Sequence, residues 1–155
     1  MKISCGILPY RIINKQLETF LVHPGGPFFK DKDINSWSIA KGEHESEDEN
    51  YLTTAKREFF EECQVQINDS KKLIYLDSIQ QNANKIVYCW AYPHREDIII
   101  KNNLIEIEYR GKKIIIPEID KGQFFTLKEA ETKIIKKQYE FVLRLYRFLK
   151  EDDKL

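Results

Sequence analysis

Cysteine is scarce in this sequence, and the three that occur lie far apart, at Cys5, Cys63 and Cys89. Their odd number and their spacing do not match a metal-binding pattern, so we interpret them as buried thiols in a reducing cytoplasm. Long apolar runs are also missing, which excludes a membrane-spanning helix, and residues 1–6 lack the pattern of a secretory signal. We therefore expect a cytoplasmic protein without a membrane partner.

An excess of charge of either sign is absent as well. The chain has 25 basic and 25 acidic residues, for a formal net charge of zero, so its bulk electrostatics do not predict binding to nucleic acid. Repeats, linkers and low-complexity segments are also missing. With 155 residues, of which 42% are hydrophobic and 32% charged, we expect one globular domain spanning residues 1–155, as a monomer or a homodimer.

What the sequence does contain is a dense acidic segment, Arg57-Glu58-Phe59-Phe60-Glu61-Glu62. In a helix, Glu58 lies beside the two glutamates that follow three and four positions later. Like charges at the rim of a core repel one another unless a cation joins them, and hard oxygen ligands select Mg²⁺ or Mn²⁺. The alternative is an exposed charged face on which Arg57 pairs with Glu61. The helix itself is indicated by an apolar stripe at helical spacing, Leu52, Ala55, Phe59 and Cys63.

The acidic segment belongs to a longer pattern that runs from Gly42 to Val65. This pattern resembles the Nudix box, which is Gly, five residues, Glu, seven residues, and then Arg-Glu-hydrophobic-x-Glu-Glu-x-Gly-hydrophobic. The matching residues are Arg57, Glu58, Phe59, Glu61, Glu62 and Val65, with Glu49 at the family's distance before Arg57. Two features depart from the box. Six residues separate Gly42 from Glu49, unless Asp48 takes that position, and Gln64 replaces a glycine that we expect to be left-handed.

Segments outside the box are similar to a little-characterised bacterial branch of the same family. They are His23–Pro27, Trp37–Ile39, Lys41–Glu43 and Ile116–Asp120, although that branch usually has Pro where Ala40 stands. The resemblance covers nearly the whole chain. It implies an α/β fold, a Nudix-type α/β/α sandwich with a mixed, partly antiparallel sheet between helices.

The resemblance also implies a reaction, the Mg²⁺- or Mn²⁺-dependent hydrolysis of a diphosphate linkage in a nucleoside diphosphate derivative. The resemblance implies that the catalytic residues are Arg57, Glu58 and Glu61, and that Arg57 orients Glu58 by a charge-assisted hydrogen bond. The implied metal ligands are Glu58 and Glu62, with Glu61 in support and a backbone carbonyl at Lys41 or Gly42. The identity of the general base stays open between a box glutamate and the later residues Glu106, Glu108 and Glu118.

The substrate is a nucleotide-type small molecule, and we favour a nucleoside triphosphate or a dinucleoside polyphosphate. Lys41 could contact a phosphate, and Phe28, Trp37 or Tyr92 could stack on a base, although each aromatic also suits the core. His23 has either a structural or a direct role. Two other functions stay open, a catalytically silent nucleotide-binding regulator with the Nudix fold and an RNA 5′-end pyrophosphohydrolase.

Hydrophobic periodicity and turn residues predict the elements in chain order. We expect strands at 2–13 and 17–23 around a turn at Asn14-Lys15, a loop at 23–29, and further strands at 36–40, 65–67, 72–80, 85–92, 104–109 and 113–116. Residues 95–103 suit either a buried strand or a loop. Thr126, with Glu129 as its capping-box partner, begins a last helix that we expect to continue through Phe148.

Overall fold

The first two strands form a hairpin whose turn is dictated by its residues. Asn14 and Lys15 have φ values of 51° and 64°, and two consecutive left-handed residues make the tight turn that matches the twist of antiparallel strands. The hairpin was predicted at this position and is confirmed. The computed structural model describes residues 1–47, 49–101 and 103–155.

The described residues form eight strands and three α-helices. In chain order these are β1 Lys2–Ile13, β2 Gln16–Pro24, β3 Ala40–Glu43, α1 Tyr51–Cys63, β4 Ile74–Asn82, β5 Lys85–Pro93, β6 Leu104–Tyr109, β7 Lys112–Pro117, β8 Ile119–Thr126, α2 Leu127–Lys133 and α3 Tyr139–Glu151. None of the helices described is both long and apolar enough to cross a membrane.

Strand β1 organises the main sheet. The strand order is β4-β5-β1-β2-β8, and β3 also pairs with β1. One edge of β1 pairs in parallel with β5, whereas the other edge is shared, with β3 on the first half and β2 on the second. The remaining pairs are antiparallel. The predicted mixed sheet is confirmed, and β6 and β7 form a separate two-stranded ribbon.

Helices cover both faces of this sheet. One core cluster includes Ala55, Phe59 and Cys63 of α1, and the other includes residues of α3 such as Phe141 and Leu145. Successive residues of a strand point to opposite faces, so β1, which is buried along most of its length, contributes to both clusters. The α/β/α sandwich expected from the sequence is thus observed.

Two predicted strands are wrong. Within 36–40, Trp37 and Ser38 make only isolated bridges, to Ile134 and Val22, and the strand begins at Ala40 because it is residues 40–43 that reach the edge of β1. Residues 65–67 are not in a strand. The described part of 95–103 is a loop without regular structure.

The last helix begins as predicted but does not continue to Phe148. Thr126 and Glu129 form the capping box at its start. The α-helix ends at Lys133, a short 3₁₀ turn follows at Lys136–Gln138, and α3 begins at Tyr139. The interruption has a tertiary cause, because the buried Gln138 side chain accepts a hydrogen bond from the backbone N–H of Ile39 (3.0 Å) and donates one to Gln81 (2.9 Å).

Candidate active site

Helix α1 carries the acidic segment, and both of its ends are fixed locally. Asn50 caps the start by accepting a hydrogen bond from the backbone N–H of Thr53 at 2.8 Å. At the other end Gln64 has φ 58° and ψ 24°, and its backbone N–H donates to the carbonyl of Phe60. The predicted left-handed conformation of Gln64 is confirmed. Ala55, Phe59 and Cys63 of the predicted apolar stripe are buried, whereas Leu52 is only partly buried. The buried part of the stripe holds the glutamates of α1 in one orientation relative to the sheet.

Arg57 is the centre of the exposed half of the site. Its guanidinium donates two hydrogen bonds to Glu49, from Nε at 3.1 Å and from Nη2 at 3.0 Å. The remaining Nη1 lies 3.2 Å from Glu58 and 3.5 Å from Glu61. These carboxylates raise the pKa of Arg57, chiefly through the hydrogen bonds that the guanidinium donates to Glu49. Glu49 thus fixes the guanidinium, which contacts Glu58 as the sequence analysis expects.

Two residues that the sequence did not indicate, Thr54 and His44, hold Glu49 in place. The hydroxyl of Thr54, a fully buried residue of α1, donates to Glu49 at 2.9 Å. His44 Nδ1 lies 2.7 Å from the same hydroxyl and must be the donor there, because the hydroxyl proton is already committed. Neither residue belongs to the box pattern, and only the fold brings them together.

Gly42 lies directly against Glu58. A Cβ atom built at Gly42 would lie 2.0 Å from Cδ and 2.3 Å from Oε2 of that carboxylate, which is far inside van der Waals contact. Any side chain at this position would therefore displace Glu58. Strand β3, held by its pairing with β1, brings this bare stretch of backbone against α1.

Glu62 is the buried member of the acidic segment. It is 3% exposed, and its Oε2 atom has no hydrogen-bond partner among the described residues. Burial, followed by the charges of Glu118 and Glu58, raises the pKa of Glu62 to about 9, with Lys41 acting in the opposite direction. A buried carboxylate oxygen without a partner costs free energy unless a cation or a donor satisfies it.

Lys41, Glu62 and Glu118 line the same small cavity, which has a volume of about 170 Å³. Burial, reinforced by Lys85, lowers the pKa of Lys41 to about 8, although Glu62 and Glu118 oppose the shift. Glu118 stands just before β8, and its charge acts on both Glu62 and Glu58. Of the three later acids considered in the sequence analysis, the structure therefore brings Glu118 to the site.

Glu106 and Glu108 lie elsewhere, on the separate ribbon. Both are exposed residues of β6, and neither is among the charges that shift the pKa of Glu58 or Glu62. The cross-strand partner of Glu106 is Ile115, and that of Glu108 is Lys113. The sequence pattern could not separate these acids from Glu118, because the distinction depends on where β8 begins.

The glutamates of the acidic segment do not point to one common position in this structure. Within residues 1–47, 49–101 and 103–155, no three histidine, cysteine, aspartate or glutamate side chains are grouped so as to hold a metal ion. Arg57 holds Glu58 and Glu61 on one side, whereas Glu62 lines the cavity. The donors nevertheless fit a hard divalent cation, because they are all oxygens, Glu62 has an unpaired buried oxygen, and Gly42 leaves its backbone open beside Glu58.

Solved structures show what this architecture is similar to. An Ap4A hydrolase from C. elegans, solved as a binary complex, shares 17% identity over 97% of this chain and 99% of that one, with a TM-score of 0.67. The NUDIX domain of NrtR from Shewanella oneidensis, complexed with ADP ribose, shares 13% identity over 95% and 87% of the two chains, with a TM-score of 0.66. A Listeria monocytogenes protein described as a NUDIX hydrolase shares 20% identity over 99% and 97%, with a TM-score of 0.68.

This chain has the Nudix fold. No family model matches the sequence, and no curated protein matches it either. The Nudix fold is therefore recognised through three-dimensional similarity together with the box residues, at sequence identities where the fold alone is shared.

The departures from the Nudix box are accommodated locally. Glu49, which is separated from Gly42 by six residues rather than five, makes the double contact with Arg57, so the extra residue is absorbed before the helix. The alternative, Asp48, lies outside the described residues. Gln64 adopts the conformation of the glycine that it replaces, and its side-chain amide donates a hydrogen bond to the carbonyl of Phe60 at 3.2 Å.

The aromatic candidates differ sharply in accessibility. Phe28 is 60% exposed, packs edge-on against Phe29 and lies under Lys32, whose ammonium is 3.5 Å from the ring centroid. Trp37 is only 3% exposed and packs edge-on against His23 and Phe125. Trp37 therefore offers no open ring face to a base and is a core residue in this structure.

His23 and Tyr92 also pack as structural residues. His23 is fully buried, with Nδ1 2.9 Å from the carboxylate of Asp120 and Nε2 2.5 Å from the carbonyl of Lys32. It ties the loop after β2 to β8. Tyr92 is partly buried against the α1-side core.

Proposed function

We propose that this protein is a Mg²⁺- or Mn²⁺-dependent pyrophosphohydrolase of nucleoside diphosphate derivatives. The favoured substrates are nucleoside triphosphates and dinucleoside polyphosphates. The proposed metal ligands are Glu58 and Glu62, supported by Glu61 and by a backbone carbonyl at Lys41 or Gly42.

One observation carries this proposal above the others. Glu62 places a carboxylate oxygen in a buried position, near the charges of Glu58 and Glu118, where it has no hydrogen-bond partner among the described residues. Such an arrangement raises the energy of the metal-free protein, and a divalent cation with phosphate oxygens in the adjacent cavity relieves it. A purely structural glutamate at this position would be expected to have a donor for each oxygen.

Each neighbouring residue has a distinct part in the proposed reaction. The cation, when bound, supplies an activated water and neutralises charge on the phosphates. Arg57, held by Glu49, orients Glu58. Lys41 lines the cavity and would contact a phosphate there, and Glu118, which lines the same cavity, would take a proton from a water near Glu62. Phe28, on its exposed loop, is the accessible surface for a base.

A second candidate function is a nucleotide-binding regulator without catalysis. It is favoured by the similarity to the NrtR domain, which was solved with ADP ribose. The presence of Arg57, Glu58, Glu61 and Glu62 together favours catalysis instead. An RNA 5′-end pyrophosphohydrolase is less favoured, because a chain with zero net charge lacks the usual electrostatic footprint for RNA.

The test is phosphate release from a panel of nucleotides with Mg²⁺ or Mn²⁺. The panel contains nucleoside triphosphates, diadenosine polyphosphates, ADP-ribose, NADH and a 5′-triphosphorylated RNA, with pyrophosphatase added to reveal pyrophosphate. Glu62→Gln serves as the inactive control, and Glu131→Gln, which removes an exposed carboxylate of α2, serves as the matched control.

We expect one class to be hydrolysed by the wild type and by Glu131→Gln, with a rate at least about 100-fold lower in Glu62→Gln. Binding of ADP-ribose without turnover of any compound would favour the regulator. Equal turnover by Glu62→Gln and wild type would contradict the proposed site.

A further inference from the structure

A separate cavity lies at the far end of β1. It has a volume of about 360 Å³ and lies between the ends of β1 and β5, the start of β4 and the C-terminal part of α3. Its apolar lining comprises Tyr10, Ile12, Ile74, Pro93, Phe148 and Leu149. Tyr10 and Pro93 are directly paired across β1 and β5, so this cavity lies against the C-terminal ends of two adjacent inner strands of the sheet.

The cavity is distant from the candidate active site. Lys41 pairs with Gly6 of β1, and Tyr10 follows four positions later on the same strand. At about 3.3 Å per residue, the separation is about 13 Å along the strand. None of the carboxylates proposed to bind metal lines this cavity.

The rim is strongly basic although the chain as a whole is neutral. Arg11, Lys72, Arg95 and Lys154 line the cavity, with Asp152 as the single carboxylate residue. Arg11 is already engaged by Glu18 and Asp97. The side chains of Lys72, Arg95 and Lys154 have no ion pair within the described part of the chain. Three cations without partners around one concave surface attract an anion.

Two further features of the cavity indicate a ligand that has polar and apolar groups in addition to a negative charge. Tyr10 is 8% exposed, yet its hydroxyl makes no hydrogen bond to any described residue. Only Thr19 and Glu62 have side-chain polar atoms that are both fully buried and unpaired in the described chain. The Tyr10 hydroxyl is therefore not fully buried, and Tyr10 is one of the residues that line the cavity. Phe148 is 46% exposed on the opposite wall and offers an apolar surface.

We propose that this cavity is a second ligand site, which binds a compact phosphate ester with a flat apolar body. The phosphate lies among Lys72, Arg95 and Lys154, the apolar body packs on Phe148, and Tyr10 hydrogen-bonds to a polar atom between them. A mononucleotide has this chemistry. Choosing it as the probe rests on the proposed function, since hydrolysis of a nucleotide linkage generates one, but binding here requires no divalent cation.

Calorimetric titration of the full chain with AMP in excess EDTA tests the proposal. We expect binding with a dissociation constant below about 1 mM, and at least about tenfold weaker binding of inorganic phosphate or adenosine, because each fills only part of the cavity. Two neighbouring lysines give a matched pair of variants. Lys72→Glu, which reverses a charge in the lining, should weaken AMP binding at least about tenfold, whereas Lys71→Glu, next to it but outside the lining, should change it by less than about twofold.

Tyr10→Phe and Phe148→Ala extend the test to the other two contacts, and both should weaken binding of AMP more than binding of phosphate. Absence of AMP binding in EDTA would overturn the proposal, as would equal losses in Lys71→Glu and Lys72→Glu. Loss of binding in Glu62→Gln, with Lys72→Glu unaffected, would place AMP at the metal site instead. Hydrolysis of a nucleotide without AMP binding in EDTA would refute only the second site. AMP binding in EDTA without hydrolysis would refute only the proposed enzymatic function.

Discussion

Replacing Glu62 by Gln removes a buried carboxyl group while keeping the shape of the side chain. Glu62 is 3% exposed and one of its oxygens has no hydrogen-bond partner among the described residues, so the amide can occupy the same space. The metal-free variant should therefore fold. The change removes the anionic oxygen that we propose as a metal ligand, and it leaves Arg57 with its contacts to Glu49, Glu58 and Glu61.

The size of the expected effect follows from binding linkage. A cation present at about 100 times its dissociation constant stabilises the folded state by about 2.7 kcal/mol. For a domain of about 150 residues, 1 kcal/mol raises the melting temperature by about 2–4 °C. Wild-type protein should therefore melt about 5–11 °C higher in saturating Mn²⁺ than in EDTA, and Glu62→Gln should lose most of this rise.

Without metal, the order of the melting temperatures should be reversed, with Glu62→Gln above the wild type. Because the pKa of Glu62 is raised to about 9, the native state holds a proton that the unfolded state releases at the ordinary value near 4.5. The stability of the wild type therefore falls as the pH rises between these two values. Glu62→Gln cannot release that proton, so in EDTA it should melt higher than the wild type at pH 8.

Differential scanning calorimetry measures both effects on the same samples. Glu131→Gln is the control for loss of one negative charge, and it should retain the full response to Mn²⁺. A wild-type protein that does not respond to Mn²⁺ would refute the metal site, and a full response in Glu62→Gln would remove Glu62 from it.

Three further predictions concern the supports of the site. Gln64 has a left-handed conformation (φ 58°), which costs a residue with a Cβ about 1–2 kcal/mol. Gln64→Gly removes this cost, but the greater freedom of glycine in the unfolded chain lowers the gain in stability by about 0.5–1 kcal/mol. Its melting temperature should rise by about 1–4 °C, and an equal rise in Gln64→Ala would contradict this explanation. Gly42→Ala places a Cβ 2.0 Å from Cδ of Glu58 and should abolish turnover and most of the Mn²⁺-induced thermal shift. In Gly111→Ala the Cβ meets nothing within 4 Å, although the φ of 76° strains a residue with a Cβ. This control should melt lower than wild type but retain turnover and the Mn²⁺-induced shift, and a normal metal response in Gly42→Ala would be evidence against close contact with Glu58. Asp33 has a lowered pKa, first because Lys133 and then because Trp37 donate hydrogen bonds to it, so its contribution is complete above the ordinary value near 4 and is lost as the pH falls below it. Because the Asp33 side chain is half exposed, solvent screens its ion pair with Lys133. Urea unfolding should therefore show Asp33→Asn to be only about 0.5 kcal/mol less stable than wild type at pH 7 and nearly equal at pH 2, whereas a constant difference would assign the effect to packing.

Local patterns in the sequence predicted the elements that local forces determine. Alternation and two turn residues located the β1–β2 hairpin, the capping box located the start of α2, and the apolar stripe located α1. Each of these signals involves residues within a few positions of one another, so the fold could not easily override them.

The errors arose where a distant partner decides the structure. The strand predicted at 36–40 occurs at 40–43, because only those residues reach the edge of β1. The last helix is interrupted because Gln138 is bound to Ile39 and Gln81, which are remote in sequence. No pattern around either segment reports those partners.

The candidate site shows the same division. The glutamates of α1 and the position of Gly42 followed from the spacing of the box. The selection of Glu118 over Glu106 required the position of β8, and the support of Glu49 by Thr54 and His44 required the packing of β3 and its following loop against α1. The residues proposed to perform chemistry were therefore more predictable than the residues that position them.

The connectivity of the sheet has a consequence for how this protein acquires its site during folding. Strand β1 pairs with β5, so that Lys2 lies opposite Lys85, and β2 pairs with β8, so that Glu18 lies opposite Thr126. Pairings between such distant residues close slowly, on the millisecond-to-second scale rather than in microseconds. Lys41 and Glu118 depend on β1 and on β8 respectively. The two walls of the cavity thus meet late in folding, and a chain that emerges from the ribosome has no complete site until β8 has been synthesised and has paired with β2.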